Sequence, residues 1–206
     1  MNDEPTLPTS GLASNRALSL TVRNVAVFNL TYFGIEFAVA LAIGSVALFA
    51  DSVDFLEDGA INLLILAGLG FSAARRAKLG MLLAVIIVVP GLATLWTAWQ
   101  NFSSGLVPEA LPLTITGAGA LVVNFVCAWL LAPFRAAGGS LTRAAFLSAR
   151  NDVAANVAII VAGLLTSATH SHWPDLIVGL GIAALNAGAA HEVYEAAREE
   201  HAQARS

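Results

Sequence analysis

Charge is scarce in this chain, and where it occurs it is oddly placed. Only 12% of the 206 residues are charged, against about a quarter in a typical soluble domain. That shortage excludes an ordinary soluble globular protein, and the net charge of −4 gives no reason to expect a nucleic-acid partner. Cysteine is nearly absent as well. Cys127 stands alone, so no internal disulfide can form, and its place in an apolar run reads as small-residue packing. The N-terminus has no basic cluster followed by an apolar stretch: MNDEPTLPTSGLASN is polar, opens with Asp3 and Glu4 and contains two prolines. It reads as a disordered tail over residues 1–15 rather than a signal peptide.

What fills the chain instead is apolar. Hydrophobic residues make up 57% of it, with a mean hydropathy of +0.75. They come in runs of roughly 20, which at 1.5 Å per residue match a ~30 Å hydrocarbon core. Six such runs are expected to be helices: Val22–Ile43, Ser45–Leu69, Gly80–Trp99, Leu111–Ala132, Thr142–Ala168 and Pro174–Tyr194. The fold class is therefore all-α, a six-transmembrane-helix bundle over residues 16–195, with a short polar helical extension at 196–206. With both termini on one side, that side receives Arg16, Arg23, Arg75, Arg76, Lys78, Arg135, Arg143, Arg150, Arg198 and Arg205, all ten basic residues. The positive-inside rule places that side, and both termini, in the cytoplasm. An odd number of spans would divide the basic residues between the two sides.

The informative residues are acids that an apolar helix should not carry. The second run contains Asp51, Asp54, Glu57 and Asp58 within eight residues. Each costs roughly 2.5–3.5 kcal/mol near a bilayer centre unless it faces protein, water or a cation. At 100° per residue Asp51, Asp54 and Asp58 fall within about 60° of one another, with Glu57 to one side. The fifth run has Asp152 as its only acid, with Ser148 a turn before it and Asn156 a turn after, on one face. Counting down from Ser45 and up from Thr142, Asp54, Asp58 and Asp152 all reach depths of ~14–20 Å, close to the midplane. Three carboxylates cannot all stay ionised in a dry cavity without a positive partner, and no Lys or Arg lies at that depth. A metal cation or bound protons must neutralise them.

These residues resemble the cation diffusion facilitators, six-helix exporters of zinc and related divalent ions driven by proton exchange. In that family the second helix carries Asp or His, three residues, then Asp, here DFLED from Asp54 to Asp58. The fifth helix usually carries His, three residues, then Asp, here SARND from Ser148 to Asp152. Fainter echoes are GSVALFAD before the second-helix acids, Asn124 in LVVNFV, and HWPDLIVGLGIA at the start of the sixth helix. The resemblance implies a metal site of Asp54, Asp58 and Asp152 with Ser148 or water as fourth ligand. It implies metal/proton antiport, no catalytic activity and no cofactor beyond the transported ion. Zinc leads, with cadmium as congener. Two departures stand out. Ser148 replaces the family's histidine, and an all-oxygen set shifts preference towards manganese or iron. The chain also ends soon after the sixth helix, where most members continue into a cytoplasmic dimerisation domain.

Other polar residues have two readings each. Asp51, Glu36 and Asn156 line the ion path or serve helix packing. His170 and His172 catch leaving metal or sit in a solvated loop. Trp96, Trp99 and Trp173 suit interfacial anchoring, and Pro90-Gly91 should kink the third helix. Gly179, Ala183 and Ala187 form a small-residue stripe for close packing within the chain or in a homodimer. The expected location is the cell (inner) membrane. An intramembrane aspartyl protease would need a Gly-x-Gly-Asp motif that neither EDGA nor ARND supplies. A non-transporting metal sensor or scaffold is the remaining alternative.

Overall fold

The computed structural model describes residues 9–70, 92–135 and 139–185, and among these no strand occurs. Six helices follow in chain order: α1 (Thr9–Ile43), α2 (Val46–Gly70), α3 (described over 92–104), α4 (Ala110–Leu131), α5 (Gly139–Thr169) and α6 (Trp173–Leu185). Each overlaps one of the six apolar runs over the described residues. The differences lie at the ends. α1 begins at Thr9, inside the stretch expected as a tail. Pro8 precedes it, and a proline is tolerated at a helix start but not within the interior. Residues 1–8, the first half of the third run with Pro90-Gly91, and everything after Leu185, including Ala187 and the polar extension, lie outside the described residues.

The distribution of side chains is inverted relative to a soluble protein. Leu41, Leu95, Trp96, Trp99, Ile115, Phe125, Trp129, Leu164 and Ile177 are all exposed. Asn29, Glu36, Asp51, Asp58, Asn62, Asn124, Asp152 and Asn156 are buried. An apolar exterior around a polar interior is what a lipid solvent selects, because hydrocarbon cannot satisfy polar groups. Arg16–Ile43, Ala110–Phe134 and Ala145–Thr169 are long and apolar enough to cross a bilayer, and Trp173–Leu185 is a shorter apolar helix. α2 is 25 residues long, but its four acids place it outside that simple definition.

α1 lies along α2 and α4 along α5, with further contacts of α1 to α4 and α2 to α5. This arrangement has two apolar ends and a polar middle. One apolar cluster joins Ala40 of α1, Ala47–Ala50 of α2, Leu113 of α4, Ile159 of α5 and Ile182 of α6. The other joins Val22 and Val25, Ile65, Cys127 and Leu131, and Ala145 and Ala149. On each of α1, α2, α4 and α5 the buried acids and amides fall between the two clusters. Arg16, Arg23, Arg143 and Arg150 are exposed and lie on α1 and α5, and exposed Arg135 follows α4, all in stretches that enter or leave the second cluster. Cys127 is buried with its thiol 3.8 Å from Asn29 Oδ1, the packing role its surroundings suggest.

At the opposite end, the α1–α2 turn is held from three directions. Gly44 adopts φ +69°, a left-handed conformation that favours glycine after a helix. Its carbonyl accepts a hydrogen bond from Asn101 Nδ2 of α3 at 2.7 Å. Ser45 Oγ accepts the Leu48 N–H at 3.1 Å, as an N-cap does, and donates to Asp175 Oδ1 of α6 at 2.6 Å. Asp175 also accepts the backbone N–H groups of Val46 at 2.8 Å and Ala47 at 3.2 Å. A carboxylate on α6 thus satisfies the orphan donors of α2 and complements its dipole. One turn along α6, Gly179 lies so close that a Cβ would be 2.6 Å from the Ala47 nitrogen. The Gly179 end of the small-residue stripe therefore packs within the chain.

Candidate functional site

Helical register delivers the acids to the interior. Asp51, Asp54 and Asp58 occupy the stripe of α2 that faces α1 and α5, and Ser148, Asp152 and Asn156 recur every four residues along α5. The helices run antiparallel, so the early part of one meets the late part of the other. Asp58 meets both Ser148 and Asp152 within hydrogen-bonding reach. Seven residues earlier on α2, Asp51 Oδ2 accepts the Asn156 amide at 2.6 Å. Asn156 Oδ1 in turn accepts from Asn124 Nδ2 of α4 at 3.1 Å. Glu36 of α1 turns its carboxyl to Asp51.

Of the four expected ligands, the structure thus brings Asp58, Asp152 and Ser148 together. Asp54 is half-buried and within electrostatic range of Asp152, Asp51, Glu57 and Asp58, but it makes no hydrogen bond among the described residues. Glu57 is also half-buried and stands beside Asp58, off the stripe as its register requires. Among the described residues no three Asp, Glu, His or Cys side chains are close enough to hold a metal ion together. The described arrangement is therefore one in which a pair of carboxylates and a hydroxyl meet while the third carboxylate stands back. The three residues expected as path-lining, Asp51, Glu36 and Asn156, form a second polar group with one another. His172 stacks on Trp173 with ring centroids 5.2 Å apart, and His170 is exposed.

Three contacts around these groups have no counterpart in the sequence pattern. Asn124 was legible only as a lone amide in LVVNFV, not as the anchor of Asn156. Asp175 was legible only as part of HWPDLIVGLGIA, not as the cap of α2. Tyr32 of α1 donates to the Thr116 carbonyl of α4 at 2.6 Å and leans on Phe55 of α2 with centroids 5.0 Å apart, tying α1 to both α4 and the acidic helix.

An apolar-surfaced helical protein with carboxylates facing one another in its interior, and no cationic partner for them among the described residues, belongs to the class of integral membrane proteins that handle cations. Residues 22–198 match the cation efflux transmembrane domain. The chain belongs to that family, and it is a transporter of metal cations, not an enzyme, with the metal as substrate and no cofactor required. This membership sets aside the protease and the non-transporting sensor or scaffold. A search of curated proteins finds no match.

Proposed function

We propose that the protein exports divalent metal ions from the cytoplasm in exchange for protons, with zinc the leading substrate and cadmium its congener. The transport unit is residues 16–195, six spans with both termini cytoplasmic, in the cell (inner) membrane. The ligands are Asp54, Asp58 and Asp152, with the Ser148 hydroxyl or a water as fourth. The observation that carries this reading is the meeting of Asp58 and Asp152 across two antiparallel helices, between apolar clusters and, among the described residues, with no cationic side chain bonded to either. A movement of Asp54 towards that pair would complete a tetrahedral oxygen set, with zinc at about 2.0–2.2 Å from each ligand.

The same carboxylates supply the coupling. They must be deprotonated to bind metal, so metal displaces protons and protons displace metal. When a site held between two apolar ends opens to each side in turn, this competition becomes antiport. The test is flux in proteoliposomes across a metal panel, with and without a pH gradient, alongside calorimetry in buffers of different ionisation enthalpy. Metal binding is expected to release protons and to weaken as pH falls. A proton count of zero across the active range would replace antiport with passive flow.

Ser148 favours a second reading of the substrate, manganese or iron, because an oxygen-only set is harder than one with imidazole. Ser148→His is expected to tighten zinc relative to manganese. Ser148→Ala should cost far less than any aspartate change, since water can take the place of a hydroxyl. Competition binding on the purified protein reads both. An unchanged zinc-to-manganese ratio in Ser148→His, together with loss of transport in Ser148→Ala, would give the hydroxyl a role other than that of a replaceable ligand.

A further inference from the structure

Of the fully buried carboxylates outside the proposed export site, Asp175 caps α2, which leaves two without such a duty. Glu36 and Asp51 are each 0% exposed and come from different helices to face one another. Asp51 Oδ2 accepts the Asn156 amide at 2.6 Å. Asp51 Oδ1 and both oxygens of Glu36 are buried without any hydrogen-bond partner. The two carboxyls lie within hydrogen-bonding reach of one another, and among the described residues these three oxygens meet no other donor.

The surroundings do not compensate. On α1 the hydroxyl of Tyr32, one turn before Glu36, is committed to the Thr116 carbonyl. On α2 the next acid is Asp54, which adds negative charge. From α5 comes Asn156, whose carbonyl is already taken by Asn124. α4 presents Asn124 itself, whose own Oδ1 is buried and unpartnered. In a helix-packing role the two carboxyls would share one proton, which still leaves a buried negative charge with no cationic partner among the described residues, a costly arrangement for a fold to hold. A bridging water could donate to both groups but would not offset their charge. Asn156, fixed by Asn124, meanwhile holds Asp51 in one orientation with Oδ1 open. Open oxygens from two helices, one of them pinned by an amide relay, are the arrangement of a cation site.

We infer that Glu36 and Asp51 form a second divalent-cation site, separate from the Asp58–Asp152 pair and displaced from it towards the α1–α2 turn. Its donors are oxygens only, and water completes the shell, so it takes hard divalent ions such as manganese at least as well as zinc. Two carboxylates neutralise one such ion. The site's use as a waypoint on the way out rests on the export reading above; its existence does not.

Equilibrium dialysis of the purified chain in nanodiscs against Mn²⁺ alone and Zn²⁺ alone counts the ions per chain. Wild type is expected to hold two. Glu36→Gln combined with Asp51→Asn should hold one, and so should Asp58→Asn combined with Asp152→Asn, while all four changes together should hold none. Glu36→Asp keeps the charge but shortens the reach, and should weaken the second ion rather than remove it. Glu36→Gln is nearly isosteric, and helical circular dichroism with a single size-exclusion peak establishes that each variant is folded. An unchanged ion count in the Glu36/Asp51 variant overturns the inference. So does an unchanged count accompanied by fewer released protons, which makes the pair a proton holder. Loss of an ion only in the Asp58/Asp152 variant leaves the export site standing without this one, and loss only in the Glu36/Asp51 variant does the reverse.

Discussion

Asp152→Ala is expected to reduce metal flux in proteoliposomes to that of protein-free vesicles while the protein still inserts and folds. Asp152 is the only acid of α5, and it meets Asp58 across the helix interface. Without it, the site has carboxylates from α2 alone and cannot close around an ion from two sides. Stability should move the other way, or not at all. Removing one of several mutually repelling buried carboxylates relieves an electrostatic cost. A variant that unfolds would point to a structural role, whereas a folded variant with wild-type flux would remove Asp152 from the site. Asp58→Ala and Asp54→Ala should match Asp152→Ala. Glu57→Gln should be milder, because Glu57 lies off the stripe and is only half-buried.

Gly179→Ala and Gly181→Ala should have opposite effects, although they lie two residues apart on one helix. A Cβ at Gly179 would sit 2.6 Å from backbone atoms of both Val46 and Ala47. Backbone cannot rotate away, so α6 must back off from α2 and lengthen the Asp175 hydrogen bonds. Overpacking of this kind costs about 1–3 kcal/mol. A Cβ at Gly181 would meet nothing within 4 Å, and replacing an exposed helical glycine with alanine gains up to about 1 kcal/mol. Thermal unfolding of the two purified variants in the same detergent decides it. Equal melting temperatures would mean that α6 does not bear on the start of α2.

The helices and the facing of their acids were legible because both have a period. Apolar runs of bilayer length marked the elements, and the 3.6-residue repeat put Asp51, Asp54 and Asp58 on one stripe and Ser148, Asp152 and Asn156 on another. Opposed directions and matched depths then predicted that Asp58 and Asp152 would meet. What was not legible lacks a period. The Asp175 carboxylate binds groups about 130 positions away, and nothing near it in sequence says which helix end it caps. The Asn124–Asn156–Asp51 relay joins three helices through single residues, each of which marks only an inward face. Glu36 allowed two readings because a lone acid on a helix does not name its neighbour. Asp54 shows the opposite limit. Its register on the stripe is right, yet register alone does not say whether a side chain closes on a partner or stands back from it.

The clamp on the first turn of α2 turns that helix into a lever. Its fulcrum is where Asp175, Gly179 and Asn101 hold the turn, so any tilt of α2 moves a residue in proportion to its distance from Val46. At 1.5 Å per residue, Asp51 is about 7 Å along the arm and Asp58 about 18 Å. A tilt of roughly 10° would shift Asp51 by only about 1 Å but carry Asp58 about 3 Å away from α5. One small rotation would then part Asp58 from Asp152 and Ser148 by about three ångströms while Asn156 and Asp51 separated by only about one. The acids of one helix would be geared differently, the near one almost stationary and the far one swinging.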